Sequence, residues 1–141
     1  MKLLIFVIGL FLAHVVVQGN SDEFDERVRD CIEINDINPE SISSFIVNGT
    51  VEKKNKDAAN YFGCVLNFTE YNELIVNEYC ISFVTTVFAS HFQTEPILAR
   101  ELAEESIQIC KPIIGTTREE TAVQIMHCLM IQVTKLKNKK L

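Results

Sequence analysis

Residues 110–133 of the chain read CKPIIGTTREETAVQIMHCLMIQV, and this stretch decides the fold. Pro112 predicts that one helix ends beside it, because proline restricts the preceding residue to extended backbone. Residues 117–120 match a capping box, in which a threonine and a glutamate three residues later start a helix. Apolar residues then recur at helical spacing. Two antiparallel helices joined by a short turn are therefore predicted, with Cys110 on the first and Cys128 on the second.

Counting the helix that ends beside Pro112, five helices are predicted upstream of the capping box from apolar periodicity and cap residues. The first starts at Ser21, and the second runs from Asn38-Pro39 to Asn48-Gly49. The third runs from about Lys54 to near Asn67, and the fourth from about Asn72 to near Phe92. The fifth starts at Thr94-Glu95-Pro96 and ends at Lys111-Pro112. The fourth of these is rich in β-branched residues, which also suit a strand. Its length, its lack of glycine and proline, and an i, i+4 apolar series favour a helix. The sequence thus predicts an all-α fold of about six helices.

The first 19 residues are predicted to be a signal peptide. An uncharged apolar run, residues 3–17, follows a single lysine, and Gly19 offers a small residue at the cleavage point. A membrane anchor is the alternative, but the run is short for a span of about 20 residues and no basic residues follow it to stop transfer. Residues 20–141 are therefore interpreted as one secreted, extracellular domain.

The charge of this domain argues against nucleic-acid binding. Residues 20–141 hold 12 basic and 19 acidic residues, a net charge of −7 with neutral histidines, whereas a nucleic-acid binder needs a basic stripe. A cluster of four lysines at positions 135–140 is typical of a solvated helix end. The chain contains no hydrolase, metalloprotease or phosphate-loop motif. Cys80 and His91 lie about 16 Å apart along one predicted helix, too far for a nucleophile and its base. No enzyme activity, cofactor or metal is therefore expected.

The cysteines predict two disulfides. The domain holds Cys31, Cys64, Cys80, Cys110 and Cys128. In an oxidising compartment four should pair, which allows 15 arrangements, three for each choice of the unpaired cysteine. Helical phase narrows the choice, because the short turn after Cys110 lets it reach Cys128, while Cys31 and Cys64 lie on the first and third helices. The bonds Cys31–Cys64 and Cys110–Cys128 are predicted, with Cys80 as a buried free thiol.

The cysteine spacing resembles the insect odorant-binding proteins, the pheromone and general odorant-binding family. That family has six cysteines, with three residues between the second and third and eight residues in each gap among the last three. If Cys64 is the third, the second falls at Asn60; Cys110 and Cys128 enclose 17 residues, so the fifth falls at Glu119. The two missing cysteines bond to each other in the family. Their joint absence resembles its Minus-C subclass, and the resemblance covers the whole mature domain.

The resemblance implies a carrier that binds one small hydrophobic ligand, such as an odorant, pheromone or similar lipophile, in an apolar cavity enclosed by the helices. The lining residues expected from it are apolar or aromatic: Phe62, Leu66, Phe68, Tyr79, Phe83, Val87, Phe88, Leu98, Leu102, Met126, Leu129, Met130 and Val133. Each of these also suits an ordinary packed core. Tyr79 and Thr86 are candidate hydroxyl partners for a ligand carbonyl or alcohol. A membrane receptor and a second copy of the chain are further candidate partners.

Two sequons add candidate glycosylation sites at Asn48 and Asn67. The alternative to a carrier is a secreted helical effector that acts through a protein partner, as a venom, salivary or reproductive-tract protein would. The two functions differ in one measurable property. A carrier should bind an apolar probe stoichiometrically, and an effector need not.

Overall fold

The fold is given by a computed structural model that describes residues 21–140, with side chains for 25–139. The predicted signal peptide, residues 1–19, lies outside the described residues. The elements are, in chain order, the helix α1 (Ser21–Ile34), a 3₁₀ helix (Pro39–Ser44), the strands β1 (Ile46–Val47) and β2 (Thr50–Val51), and the helices α2 (Lys56–Val65), α3 (Glu78–His91), α4 (Pro96–Cys110) and α5 (Arg118–Lys140). This order confirms the prediction of an all-α fold with about six helices.

Side-chain caps set the starts of three helices close to the predicted positions. Asn55 accepts a hydrogen bond at 3.1 Å from the N–H three residues on and starts α2. Glu95 accepts one at 2.9 Å and starts α4, where Pro96 needs no N–H partner. Thr117 accepts one from the Glu120 N–H at 3.0 Å and starts α5. Each cap satisfies a backbone donor that lacks a partner in the first helical turn.

The second predicted helix is wrong in its latter half. It ends at Ser44, and Ile46–Val47 pairs antiparallel with Thr50–Val51. Asn48 and Gly49 form the connecting turn with φ values of +54° and +73°. Positive values at both positions are what a tight type I′ hairpin requires, and asparagine and glycine are the residues that adopt them most readily. The dipeptide therefore closes a small hairpin instead of ending a helix.

The fourth predicted helix starts at Glu78 rather than at Asn72. Asn77 caps it, accepting a hydrogen bond at 2.9 Å from the N–H three residues on. In the segment before it, Phe68 pairs with Leu74 as an isolated antiparallel bridge, and Asn72 has a φ of +64°. A left-handed residue interrupts a right-handed helix, so the β-branched residues Ile75 and Val76 lie before α3, while those from Ile81 onward lie within it.

The core forms where α5 packs against both α2 and α4, and where α3 packs against α4. Phe88, Leu102, Ile107, Met126 and Met130 are among its fully buried large side chains. The unbranched methionines fill irregular gaps between the other side chains. Within residues 21–140, none of the helices combines the length and the apolar character that a membrane span requires.

Both predicted disulfides are present. Cys31–Cys64 joins α1 to α2 with a Cα separation of 5.7 Å, and Cys110–Cys128 joins α4 to α5 with a separation of 5.8 Å. Cys80 is a buried free thiol on α3. Burial raises the pKa of the Cys80 thiol to about 11. The reactive thiolate form is therefore scarce at neutral pH.

Candidate ligand-binding cavity

A mostly apolar cavity of about 210 Å³ lies between the 3₁₀ helix, β1, α2 and α3. Its walls combine aliphatic and aromatic side chains with a few polar groups: Ile42, Ser43, Ile46, Tyr61, Phe62, Phe83, Val87, Ser90 and His91. The volume lies between the roughly 150 Å³ of an engineered cavity that binds benzene and the roughly 300 Å³ at which drug-sized pockets begin. The cavity thus suits a ligand of about six to ten non-hydrogen atoms.

Aromatic packing makes the α2 wall rigid. The rings of Tyr61 and Phe62 lie 5.3 Å apart at an angle of 66°. Phe45, which follows the 3₁₀ helix, packs against them at 5.8 Å and 6.2 Å. On the facing helix, Phe83 and Val87 are four residues apart and therefore share one side of α3. Rings held edge to face by their neighbours keep their positions, so this wall cannot readily collapse into the cavity.

The rim of the cavity is polar but carries no fixed charge. Ser43 and His91 are exposed, and Ser90 is half-buried. The His91 ring lies 5.0 Å from the ring of Phe92 at an angle of 80°. Partial desolvation lowers the pKa of the His91 imidazole below its ordinary value, which is already below 7. The imidazole is therefore neutral at physiological pH, and among the described residues the lining contains no Lys, Arg, Asp or Glu.

The end of α3 holds the hairpin and α5 together beside this rim. The Phe92 ring lies against Gly49 in the hairpin turn, where an added Cβ would be 3.9 Å from the ring. The Phe92 carbonyl accepts a hydrogen bond from the Lys137 Nζ at 3.1 Å. This lysine, predicted to belong to a solvated helix end, thus satisfies a carbonyl at the end of α3.

Three of the predicted lining residues, Phe62, Phe83 and Val87, line the cavity. Seven others are at most 1% exposed in the packed core: Leu66, Phe88, Leu102, Met126, Leu129, Met130 and Val133. The last three predicted residues are partly buried against that core: Phe68, Tyr79 and Leu98. The predicted residues on α4 and α5 lie in the core beside the cavity, because the long side chains of α5 fill the space between their neighbours.

The prediction missed six wall residues: Ile42, Ser43, Ile46, Tyr61, Ser90 and His91. The aliphatic pair Ile42 and Ile46 carried a usable signal, because the two lie four residues apart on either side of Phe45. That spacing marks an inward face on a short helix. The polar members carry no comparable signal, since serine and histidine at a helix end usually face water.

The two hydroxyl groups predicted to bond to a ligand, those of Tyr79 and Thr86, bond to backbone carbonyls instead. The Tyr79 hydroxyl donates to the Val65 carbonyl at 2.7 Å, and the Thr86 hydroxyl donates to the Ser82 carbonyl at 2.8 Å. Both groups are thus engaged within the protein. Tyr61 lines the cavity and is 4% exposed, and among residues 25–139 its hydroxyl has no hydrogen-bond partner. Burial raises the pKa of the Tyr61 phenol well above its ordinary value, so the group stays a neutral donor.

The two sequons differ in accessibility. Asn48 is exposed at the tip of the hairpin. Asn67 is half-buried, and its side-chain oxygen accepts a hydrogen bond from the Arg27 guanidinium, which also donates to the Cys64 carbonyl at 2.9 Å. Asn48 is therefore the better placed of the two candidate acceptors for a glycan.

Two other depressions have a different chemical character. One lies beside the Cys31–Cys64 bond and is lined by Glu26, Arg27 and Asp30. The other lies on α4, where Arg100 pairs with Glu78 at 2.7 Å and 2.9 Å. Both are more open than the cavity, and their charged walls favour water over an apolar ligand.

In the part of the chain that the structure describes, no group of three or more His, Cys, Asp or Glu side chains is arranged to hold a metal ion. Comparison of the chain with family models, with curated proteins and with solved structures found no match. The function is therefore inferred from the geometry of the cavity.

Proposed function

We propose that this protein is a secreted carrier that holds one small hydrophobic ligand in the cavity between the 3₁₀ helix, α2 and α3, and that it catalyses no reaction. The observation that carries the proposal is the cavity itself, an uncharged and mainly apolar space with a rigid aromatic wall. An apolar ligand gains about 25 cal/mol for each Å² of its surface that leaves water. The preformed wall keeps the cost of ordering the site low.

The size of the cavity limits the affinity. Small ligands reach at best about 1.5 kcal/mol per non-hydrogen atom, and larger ones much less. At about half of that ceiling, a ligand of about nine non-hydrogen atoms gains about 7 kcal/mol, which corresponds to a dissociation constant on the order of 10 μM. Such an affinity allows loading and release on short timescales, as a carrier requires.

Secretion and family membership belong to the same proposal. Two disulfides are compatible with an oxidising compartment, and the apolar segment at 3–17 has the character of a signal peptide. The assignment to the Minus-C odorant-binding proteins rests on the cysteine spacing, in which Asn60 and Glu119 stand where two cysteines would be. The ligand would then be an odorant, a pheromone or a similar lipophile.

Two substitutions on β1 test where the ligand binds. Ile46 lines the cavity, whereas its neighbour Val47 is 53% exposed on the opposite side of the strand. Ile46→Trp adds an indole ring to the cavity wall and should lower the affinity for isopropylbenzene at least about tenfold, since the added ring takes the space that the probe needs. The measurement is isothermal titration calorimetry with isopropylbenzene.

Val47→Trp is the matched control, because it places the same ring in solvent. It should leave the affinity within about twofold of the unmodified protein. If Ile46→Trp binds isopropylbenzene as well as Val47→Trp does, the cavity is not the site. Absence of saturable one-to-one binding to the unmodified protein would contradict the carrier function and favour an effector that acts through a protein partner.

A further inference from the structure

The Tyr61 side chain places a hydrogen-bond donor at the cavity wall. The side chain is 4% exposed and belongs to the lining. Its ring is held between Phe45 and Phe62, at 5.8 Å and 5.3 Å, so the position of the hydroxyl is fixed. Among residues 25–139, no protein group accepts its proton. The hydroxyl oxygen is not among the fully enclosed polar atoms without a partner, so it remains accessible to water or to a ligand. A ligand that brings an acceptor to this point replaces water as the partner of the hydroxyl.

We propose that the Tyr61 hydroxyl determines the ligand specificity of the cavity by donating a hydrogen bond to an oxygen of a neutral, otherwise apolar ligand. The matching ligands are ketones, aldehydes, esters and alcohols with about six to ten non-hydrogen atoms. This inference rests on the proposed carrier function and adds to it the chemical group that the ligand must carry.

The other polar groups of the lining are less suited to this role. Ser43 and His91 are exposed and Ser90 is half-buried, so water competes for their hydrogen bonds and reduces the net gain. Tyr61 lies deeper, where the lower local dielectric strengthens the bond.

Carboxylate ligands are excluded by the same environment. In the part of the chain that the structure describes, the cavity lining contains no lysine or arginine, and desolvation lowers the pKa of the His91 imidazole and so favours its neutral form. A buried carboxylate needs a paired positive charge to offset the loss of hydration. The site thus selects uncharged oxygen-containing lipophiles.

The test compares two ligands of the same shape in two variants. Acetophenone and isopropylbenzene have the same number of non-hydrogen atoms, and the ketone oxygen of the first replaces a methyl group of the second. Tyr61→Phe removes only the hydroxyl. It should lower the affinity for acetophenone about tenfold and change the affinity for isopropylbenzene by less than about twofold. Titration calorimetry measures the affinity for both ligands. The affinity for each ligand is compared between variants and not between ligands, because the ketone loses hydrogen bonds to water when it enters the cavity.

Tyr79→Phe is the control, since it removes a hydroxyl that already donates to the Val65 carbonyl and that does not belong to the lining. It should leave both affinities unchanged. The inference is overturned if Tyr61→Phe weakens both ligands equally, weakens neither, or has no greater effect on acetophenone than Tyr79→Phe. In each of these cases isopropylbenzene still binds and the carrier function stands. If neither ligand binds the unmodified protein, the carrier function itself fails, and the inference fails with it.

Discussion

Replacing Cys110 and Cys128 together by alanine should lower the free energy of unfolding by at least about 3 kcal/mol. The bond links two residues 18 positions apart in the sequence. Without it, the unfolded chain regains the conformational entropy that closing this loop removes. The bond also joins α4 to α5, the two helices that carry much of the buried core. Alanine is chosen because Cys110 is fully buried and a serine hydroxyl there would add a desolvation cost.

Urea denaturation followed by circular dichroism measures this loss. Cys80→Ala is the control, because it removes a buried sulfur without breaking a cross-link. It should cost only the packing term, about 1 kcal/mol. A domain of this size has a total stability of about 5–15 kcal/mol, so the double variant should be visibly less stable at physiological temperature. A loss no larger than that of Cys80→Ala would mean that the bond does not constrain the unfolded chain.

The second large effect is expected from adding a bond. Asn60→Cys with Glu119→Cys should form a third disulfide and raise the free energy of unfolding by up to about 4 kcal/mol. Glu119 packs against α2 so closely that a Cβ added to Gly63 would lie 3.3 Å from the Glu119 Cα. Asn60 is one helical turn from Gly63 on the same side of α2. The bond can form only if the Cα atoms of residues 60 and 119 lie less than about 7 Å apart.

The new bond should also narrow the range of ligands. α2 carries Tyr61 and Phe62 in the cavity wall, and without the bond it is held to α5 by packing alone. Opening between these helices should cost less free energy than in a cross-linked form, which lets the wall adapt. Peptide mapping without reduction checks the bond, and titration with probes of increasing size checks the range. Asn60→Ser with Glu119→Ser is the control.

Failure of the two cysteines to pair would contradict the alignment of Asn60 and Glu119 with the missing cysteines of the odorant-binding pattern. If the bond forms and the accepted range stays that of the serine control, α2 does not move in binding. The fold would be unaffected by that result.

The helices and the Cys110–Cys128 bond were predictable because their causes are local in sequence. Each helix end depends on residues beside it. Pro96 starts α4, Pro112 follows its end, and a threonine caps α5 after a short turn. The hairpin at Asn48-Gly49 was missed although its signal is local as well, because two-residue strands are too short to show an alternating pattern. The dipeptide alone, between Ile46–Val47 and Thr50–Val51, was sufficient evidence for a tight turn.

The cavity was not predictable in the same way. Apolar periodicity tells which face of a helix is buried, and it marked both Phe83 on α3 and Met126 on α5 as inward. It does not tell which inward residues leave space between them, because this depends on how neighbouring helices cross and on how side chains fill the gaps. Met126 fills its gap completely, while the aromatic wall around Tyr61 leaves one. The role proposed for Tyr61 depends on the lack of a protein hydrogen-bond acceptor next to its hydroxyl among the described residues, and no sequence pattern encodes that lack.

The location of a bound ligand tests the account most directly. Nuclear Overhauser effects between unlabelled acetophenone and ¹³C-labelled methyl groups of the protein report which side chains it touches. We expect contacts to the methyl groups of Ile42, Ile46 and Val87, which line the cavity. Contacts only to Met126 and Met130 in the core, or no contacts at ligand excess, would contradict the assignment of this cavity as the binding site.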